Sequence, residues 1–208
     1  MVTAGQRAAA LALGVRLEVV TVVWMAVEAA LAIGAGIAAR SVLLTAFGVD
    51  SVVELLSGIV LLRRLGAEAR GAMPEGLARL ERRTTLISAA LLVLLCIYVV
   101  GFSVLGFATG LRPESSTLGL AVAGIAVVAM PLLALAKRRA NRIIGSPSLR
   151  ADIAETLTCA YMAAVTLAGV AISALFGAWW VQYVAALALL IWLVPETREA
   201  IEAARSEA

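Results

Sequence analysis

The stretch SVLLTAFGVDSVVELLSGIVLL, residues 41–62, is an apolar run that contains two carboxylates, Asp50 and Glu54. An apolar run of about 20 residues is long enough to cross the hydrocarbon core of a bilayer as a helix. A carboxylate in that core is costly unless it is paired, protonated or bound to an ion. Because Asp50 and Glu54 are four residues apart, they share one face of the predicted helix. The stretch therefore predicts a membrane-spanning helix with a functional acidic pair.

Apolar runs of this kind recur along the whole chain. Of its 208 residues, 62% are hydrophobic and only 15% are charged, which is too apolar for a soluble domain. We expect an all-α integral membrane protein with six transmembrane helices. The predicted spans are roughly 15–39, 42–64, 84–108, 117–138, 148–176 and 178–195.

The cationic residues predict the orientation. Of the 17 Lys and Arg residues, all but Arg40 and Arg112 lie on one side of the predicted spans, and Lys137 is counted among the loop cations of that side. Loops rich in Lys and Arg are cytoplasmic. The pattern predicts a multi-pass protein of the inner (plasma) membrane with both termini in the cytoplasm. Membrane topology accounts for these cations, so the predicted partner is the lipid bilayer and not nucleic acid.

A second pair of candidate ligands lies in span five, where Glu155 and Cys159 are again four residues apart. By helical rise, Asp50 and Glu54 lie about 12 and 18 Å below the outer end of span two. Glu155 and Cys159 lie about 12 and 18 Å above the inner end of span five. Antiparallel packing would bring both pairs to one depth, where they can surround a divalent ion tetrahedrally. Cys159 has the alternative role of a small buried apolar residue.

The chemistry of these four ligands limits which ions can bind and which reactions the protein can carry out. Three carboxylates and a thiolate suit Zn²⁺, and also Mn²⁺, Fe²⁺, Co²⁺ or Cd²⁺. The carboxylates can exchange a metal ion for protons, because burial favours the neutral form once the ion leaves. The chain has no histidine, which excludes His-based metal sites and Ser-His-Asp triads. We predict a metal ion as substrate, no organic cofactor and no enzymatic activity.

Three other polar residues inside the spans are candidate proton-relay or accessory residues. Glu28, in the middle of span one, is a proton carrier, an extra ligand or a partner of the charge near Arg16. Asp152 is nearer the membrane surface, where it can also pair with Arg150 or cap the helix. For Gln182, the first interpretation is that its side chain forms a hydrogen bond between helices.

Four segments resemble motifs of the cation diffusion facilitator family. Residues 41–54, SVLLTAFGVDSVVE, resemble its second-helix pattern S-x-A-L-x-A-D-A-x-H/D-S-x-x-D. Residues 148–159, SLRADIAETLTC, resemble the fifth-helix pattern S-x-x-L-x-A-D-x-x-H-x-x-x-D, offset by one residue at the serine. Residues 74–81, PEGLARLE, are similar to P-x-G-x-G/A-K/R-x-E, and residues 180–187, WVQYVAAL, to W-x-D-P-x-A-A-L. The resemblance covers about residues 10–205 in the family's order.

The resemblance implies that the family's metal site falls on the same four residues, Asp50, Glu54, Glu155 and Cys159. Zinc exporters of the family usually carry His at the position of Glu155 and Asp at that of Cys159. We also expect a homodimer that forms through the transmembrane helices, with Gly101 and Gly106 of span three allowing close approach.

The expected domain organisation is a six-helix cation-efflux domain over residues 1–200 and a short cytoplasmic tail over residues 201–208, without a C-terminal metal-binding domain. The predicted function is export of a divalent transition metal, with zinc first, in exchange for protons. A non-transporting metal sensor or scaffold is the alternative. A membrane-embedded enzyme is less favoured, because no nucleophile–base pair is evident.

Overall fold

The computed structural model describes residues 4–70 and 77–206 of the chain. Predictions that fall on residues 71–76, on the side chains of residues 77–81, or on residues 207–208 lie outside the described residues; these include the 74–81 motif and the end of the tail. The described elements are α1 (Ala4–Ala38), α2 (Val42–Ala69), α3 (Leu77–Thr109), α4 (Thr117–Ile144), α5 (Pro147–Phe176) and α6 (Trp180–Ser206).

All six predicted spans are helices, and in the described part of the chain each of the six is long and apolar enough to cross a membrane. Several helices run beyond the apolar segments: α1 begins at Ala4 rather than near residue 15, and α6 continues to Ser206 rather than ending near residue 195. These extensions are rich in Ala, Arg and Glu, which favour helix even where no apolar face requires it.

Short links join the helices where the chain carries turn residues. Arg40 adopts a positive φ of 51° between α1 and α2, and Ser41 then caps α2 by accepting a hydrogen bond from the Leu44 amide. Before α5, Gly145 takes a left-handed φ of 71° and Ser146 caps the new helix through the Leu149 amide. Such caps satisfy backbone groups that a helix end leaves free. The tight α1–α2 link makes these two helices antiparallel neighbours.

The central element is α2, which packs against α1, α3, α5 and α6. Its membrane-spanning part is 61% buried, compared with 28–39% for the other five described spans. Glycines allow α1 to approach closely: a Cβ on Gly36 would lie 2.6 Å from the Thr45 amide nitrogen, and one on Gly48 would lie 2.7 Å from that of Ile33. Side chains on several faces of α2 are therefore inside the bundle, and both of its acids are among them.

The predicted use of span three is partly different in the structure. Gly106 was expected to face a second copy of the chain, but a Cβ there would overlap the ring of Tyr183 on α6. Gly106 therefore serves the α3–α6 contact within one chain. Gly101 is exposed, and a Cβ added to it would have no neighbouring atom within 4 Å among the described residues.

Candidate functional site

A cavity of about 630 Å³ lies between α2, α3, α5 and α6. It extends from the end of the bundle where α5 begins, near Arg64 and Ser148, to Glu54 and Glu155 inside it. Five carboxylates line it: Glu54, Asp152, Glu155, Glu196 and Glu199. An acid-lined cleft with low-dielectric walls concentrates cations. This cavity reaches two of the predicted ligands, Glu54 and Glu155.

The two acids of α2 are both buried, but their surroundings differ. Glu54 is 8% exposed and lines the inner part of the cavity. Asp50, one turn further along, is 1% exposed, and its Oδ1 atom has no hydrogen-bond partner among the described residues. A buried carboxylate oxygen without a partner is unfavourable. Asp50 thus offers a free oxygen atom beside the inner end of the cavity.

The predicted ligands on α5 are held by neighbouring helices. Glu155 is half-buried, and its Oε2 atom accepts a hydrogen bond of 2.8 Å from the Ser57 hydroxyl of α2. Cys159 is completely buried, and its thiol donates to Glu28 Oε1 of α1 at 3.4 Å. The predicted contact between α2 and α5 is present, and Ser57 is one of the side chains that make it.

Glu28 forms the hub of a buried hydrogen-bond network. Its Oε1 atom accepts from the Ser51 hydroxyl of α2 at 2.7 Å as well as from the Cys159 thiol, and its Oε2 atom accepts from Trp24 Nε1 at 2.5 Å. Of the three roles left open for Glu28, pairing with the charge near Arg16 is not the one these contacts favour, because its hydrogen bonds run to Trp24 and to Ser51 and Cys159 of α2 and α5. Glu28 is therefore adjacent to the predicted ligand set.

The four predicted ligands are neighbours without forming a closed metal site in this conformation. Glu54 lies one turn from Asp50 on α2 and lines the same cavity as Glu155, and Cys159 lies one turn from Glu155 on α5. Among the described residues, however, no three carboxylates or thiols are close enough to hold one metal ion. A site built from all four side chains requires Glu155 and Cys159 to exchange their present hydrogen-bond partners for the ion.

A second polar cluster lies between α1, α4 and α5. Lys137 of α4 is completely buried; its ammonium group donates to Asp152 Oδ2 at 2.7 Å and to Thr156 Oγ1 at 3.5 Å. Glu18 Oε2 lies 3.0 Å from the same nitrogen, an ion-pair contact without hydrogen-bond geometry. Two expectations are corrected here: Asp152 pairs with Lys137 and not with Arg150, and Lys137 is not a loop cation.

Gln182 makes hydrogen bonds between helices, as its first interpretation predicted. It accepts from the Ser41 hydroxyl at the start of α2 at 2.7 Å and donates to Ser173 of α5 at 3.1 Å. These contacts join α2, α5 and α6 at the end of the bundle opposite the cavity mouth. A structural role therefore accounts for its burial.

Sequence reasoning missed Lys137, Glu18, Ser57 and Glu196 as residues of the polar interior. A signal for the first two was present: Lys137 continues the buried stripe of Met130 and Ala134 at spacings of three and four residues. Glu18 continues that of Thr21 and Met25 on α1, again at spacings of three and four residues. No comparable signal marks Ser57 or Glu196, because their role depends on which helix faces them.

The fold and this acid-lined interior define a multi-pass α-helical membrane protein suited to carrying cations. The chain belongs to the cation efflux family: the family model of the cation efflux transmembrane domain matches residues 19–207. It is therefore a cation efflux transporter of a family whose substrates are metal cations. No curated protein is similar enough to the chain to be matched.

Proposed function

We propose that this protein exports a divalent transition-metal ion in exchange for protons, with zinc as the first candidate and manganese, iron, cobalt and cadmium as further ones. The observation that carries the proposal is the cavity that leads from one end of the bundle to the buried carboxylates of Glu54 and Glu155. Carboxylates that release a metal ion inside a low-dielectric interior take up protons, so the same groups can carry both substrates in turn.

The proposed ion site consists of Asp50, Glu54, Glu155 and Cys159. Two features support it: Asp50 offers an oxygen atom without a hydrogen-bond partner among the described residues, and Glu54 faces the cavity. Glu155 leaves the Ser57 hydroxyl when it binds the ion. Cys159 binds as the thiolate, so its proton must leave, and the nearest acceptor is Glu28 Oε1. Glu28 is thereby the proposed proton relay.

In the proposed cycle the cavity is the cytoplasmic access route. This assignment rests on the loop cations, most of which lie at the end of the bundle where α5 begins. The ion enters from the cytoplasm, reaches the four ligands, and leaves on the other side after the helices rearrange around the site. We further propose that the protein acts as a homodimer in the inner membrane, and that the segment from residue 201 is a cytoplasmic tail.

Metal flux into proteoliposomes tests the proposal directly. We expect the wild-type chain to move Zn²⁺ with simultaneous counter-movement of protons, reported by a pH-sensitive dye on the opposite side. Asp50→Asn and Glu54→Gln remove one ligand charge each at nearly constant volume. Each should lower the transport rate by about tenfold or more, because an amide is a poorer ligand and cannot carry the exchanged proton.

Glu114→Gln is the matched control, since Glu114 is exposed in the link between α3 and α4. It should transport like the wild type. Metal binding without flux would instead identify a sensor or scaffold, and flux that ignores a collapsed pH gradient would identify a uniporter. Wild-type rates in both site variants would show that the ion does not use Asp50 and Glu54.

A further inference from the structure

The cluster around Lys137 is unusual because its single ammonium group is completely buried inside a membrane-spanning helix. A lysine at such a place is costly and requires close counter-charges. Two carboxylates supply them, Asp152 at 2.7 Å and Glu18 at 3.0 Å. The cluster therefore joins three helices, α1, α4 and α5, through one cation.

The two carboxylates are not equivalent. Asp152 accepts a well-formed hydrogen bond from Lys137. Glu18 has only the ion-pair contact, and neither of its oxygens has a hydrogen-bond partner among the described residues. A Cβ on Gly58 of α2 would lie 3.0 Å from Glu18 Oε1, so the absence of a side chain there leaves room for the carboxylate. Glu18 is thus placed to hold Lys137 whether or not Asp152 remains bound to it.

Asp152 connects this cluster to the ion pathway. It is 7% exposed and is one of the residues that line the cavity. It lies three residues before Glu155 on the same helix, about 4.5 Å along the axis. A cation that moves up the cavity therefore meets a carboxylate that is already occupied by the protein's own ammonium group.

We propose that Lys137 is a positioning residue that acts as a tethered cation and competes with the transported ion for Asp152. The inference rests on the proposed metal export. An ion in the cavity repels Lys137 and draws Asp152 away from it, while Glu18 retains the lysine. When the ion has passed, Lys137 pairs with Asp152 again, so that the Asp152 carboxylate does not hold the ion too tightly on its way to the site. Conduction requires binding that is weak enough to allow release.

Neutralising Lys137 and neutralising Asp152 should then change the apparent affinity for Zn²⁺ in opposite directions. Lys137→Gln removes the competitor and frees Asp152, so the KM for Zn²⁺ should fall by about tenfold, the scale of one unit charge acting across a partly polar interior, and kcat should fall with it. Asp152→Asn removes the carboxylate that receives the ion, so KM should rise. If the ion pair had only a structural role, both substitutions would change KM and kcat in the same direction.

The experiment measures KM and kcat for Zn²⁺ in proteoliposomes, together with Zn²⁺ binding by calorimetry. Lys137→Arg should keep a KM near that of the wild type, because the charge is retained. Arg138→Gln removes an exposed cation next to Lys137 and should leave both constants unchanged. If Lys137→Gln does not insert, the charge-balanced pair Lys137→Gln with Glu18→Gln replaces it and should also lower KM.

A KM that rises or stays constant when Lys137 is neutralised overturns the inference while leaving metal export intact. Equal effects of Lys137→Gln and Asp152→Asn overturn it as well. A wild-type chain that neither binds nor transports metal overturns the proposed function, and the inference with it.

Discussion

At the scale of single residues, Cys159 is the proposed ligand that we expect to influence the choice of ion most. It is the one sulfur among four proposed ligands, it is completely buried, and its thiol already faces a carboxylate acceptor. Thiolate favours soft ions such as Cd²⁺ and Zn²⁺, whereas carboxylate oxygens favour harder ions such as Mn²⁺. We therefore predict that the sulfur atom at this position biases the proposed site towards soft ions.

Cys159→Asp should weaken Cd²⁺ binding at least about tenfold more than Mn²⁺ binding, since it replaces a soft ligand by a hard one of the same charge. Cys159→Ser should weaken binding of both ions, because a hydroxyl stays neutral. Calorimetric titration of the purified variants with both ions measures the ranking. If Cys159→Ala leaves the ranking of metals unchanged, the thiol only packs against Glu28 and takes no part in coordination.

At the scale of elements, the α1–α2 contact determines where Glu28 and Glu18 can act. Both are on the buried stripe of α1, and glycines remove side chains from its crossing with α2: a Cβ on Gly58 would lie 3.0 Å from Glu18 Oε1. Small residues at helix interfaces allow this close approach in membrane proteins. The hydrogen bond from Ser51 to Glu28 depends on the same short distance.

Gly36→Ala tests this contact, because the added Cβ would lie 2.6 Å from the amide nitrogen and 2.9 Å from the Cα of Thr45. Backbone atoms cannot move aside as a side chain does, so we expect destabilisation of about 1–3 kcal/mol and a lower melting temperature in detergent. Gly34→Ala is the matched control on the same helix, since its new Cβ would have no described atom within 4 Å. Equal melting temperatures for the two variants would contradict the described crossing.

At the scale of the whole molecule, α3 carries an apolar face that no other helix covers in the described part of the chain. Leu94 and Ile97 are 61% and 63% exposed, and Val104 is 59% exposed. Together with Gly101 they follow a spacing of three or four residues, as one face of a helix does. The opposite face, which includes Gly106, is used within the chain against α6. We therefore propose that the dimer interface is the face of α3 that carries residues 94, 97, 101 and 104, without Gly106.

Single cysteines placed along residues 92–106, in a chain with both native cysteines replaced by serine, test this interface. Disulfide or bismaleimide cross-links should be strong at positions 94, 97, 101 and 104 and weak at the buried positions 92, 99 and 103, because only one face can meet a second copy. SDS gels of treated membranes measure the pattern. Uniform cross-linking, or none in lipid nanodiscs, would argue for another interface or a monomer.

The sequence by itself determined the membrane class and the six spans, and it predicted two pairs of candidate ligands at one depth. These properties are local: hydrophobic run length decides whether a segment enters the bilayer, and helical spacing decides which side chains share a face. Asp50 and Glu54 were found in this way, and so was the family, because its motifs lie within single helices.

Only the tertiary structure decided which polar groups meet across helices. Lys137 looked like one more cation at the edge of a span, yet it lies between Glu18 and Asp152, residues that are 119 and 15 positions away along the chain. Glu28 looked like an isolated acid and proved to be the acceptor for Ser51 and Cys159. Hydropathy assigns a charge to a depth, but the rotation and packing partner of each helix arise from contacts distant in sequence. Those contacts decide whether a buried charge is a ligand, a counter-ion or a tie between helices.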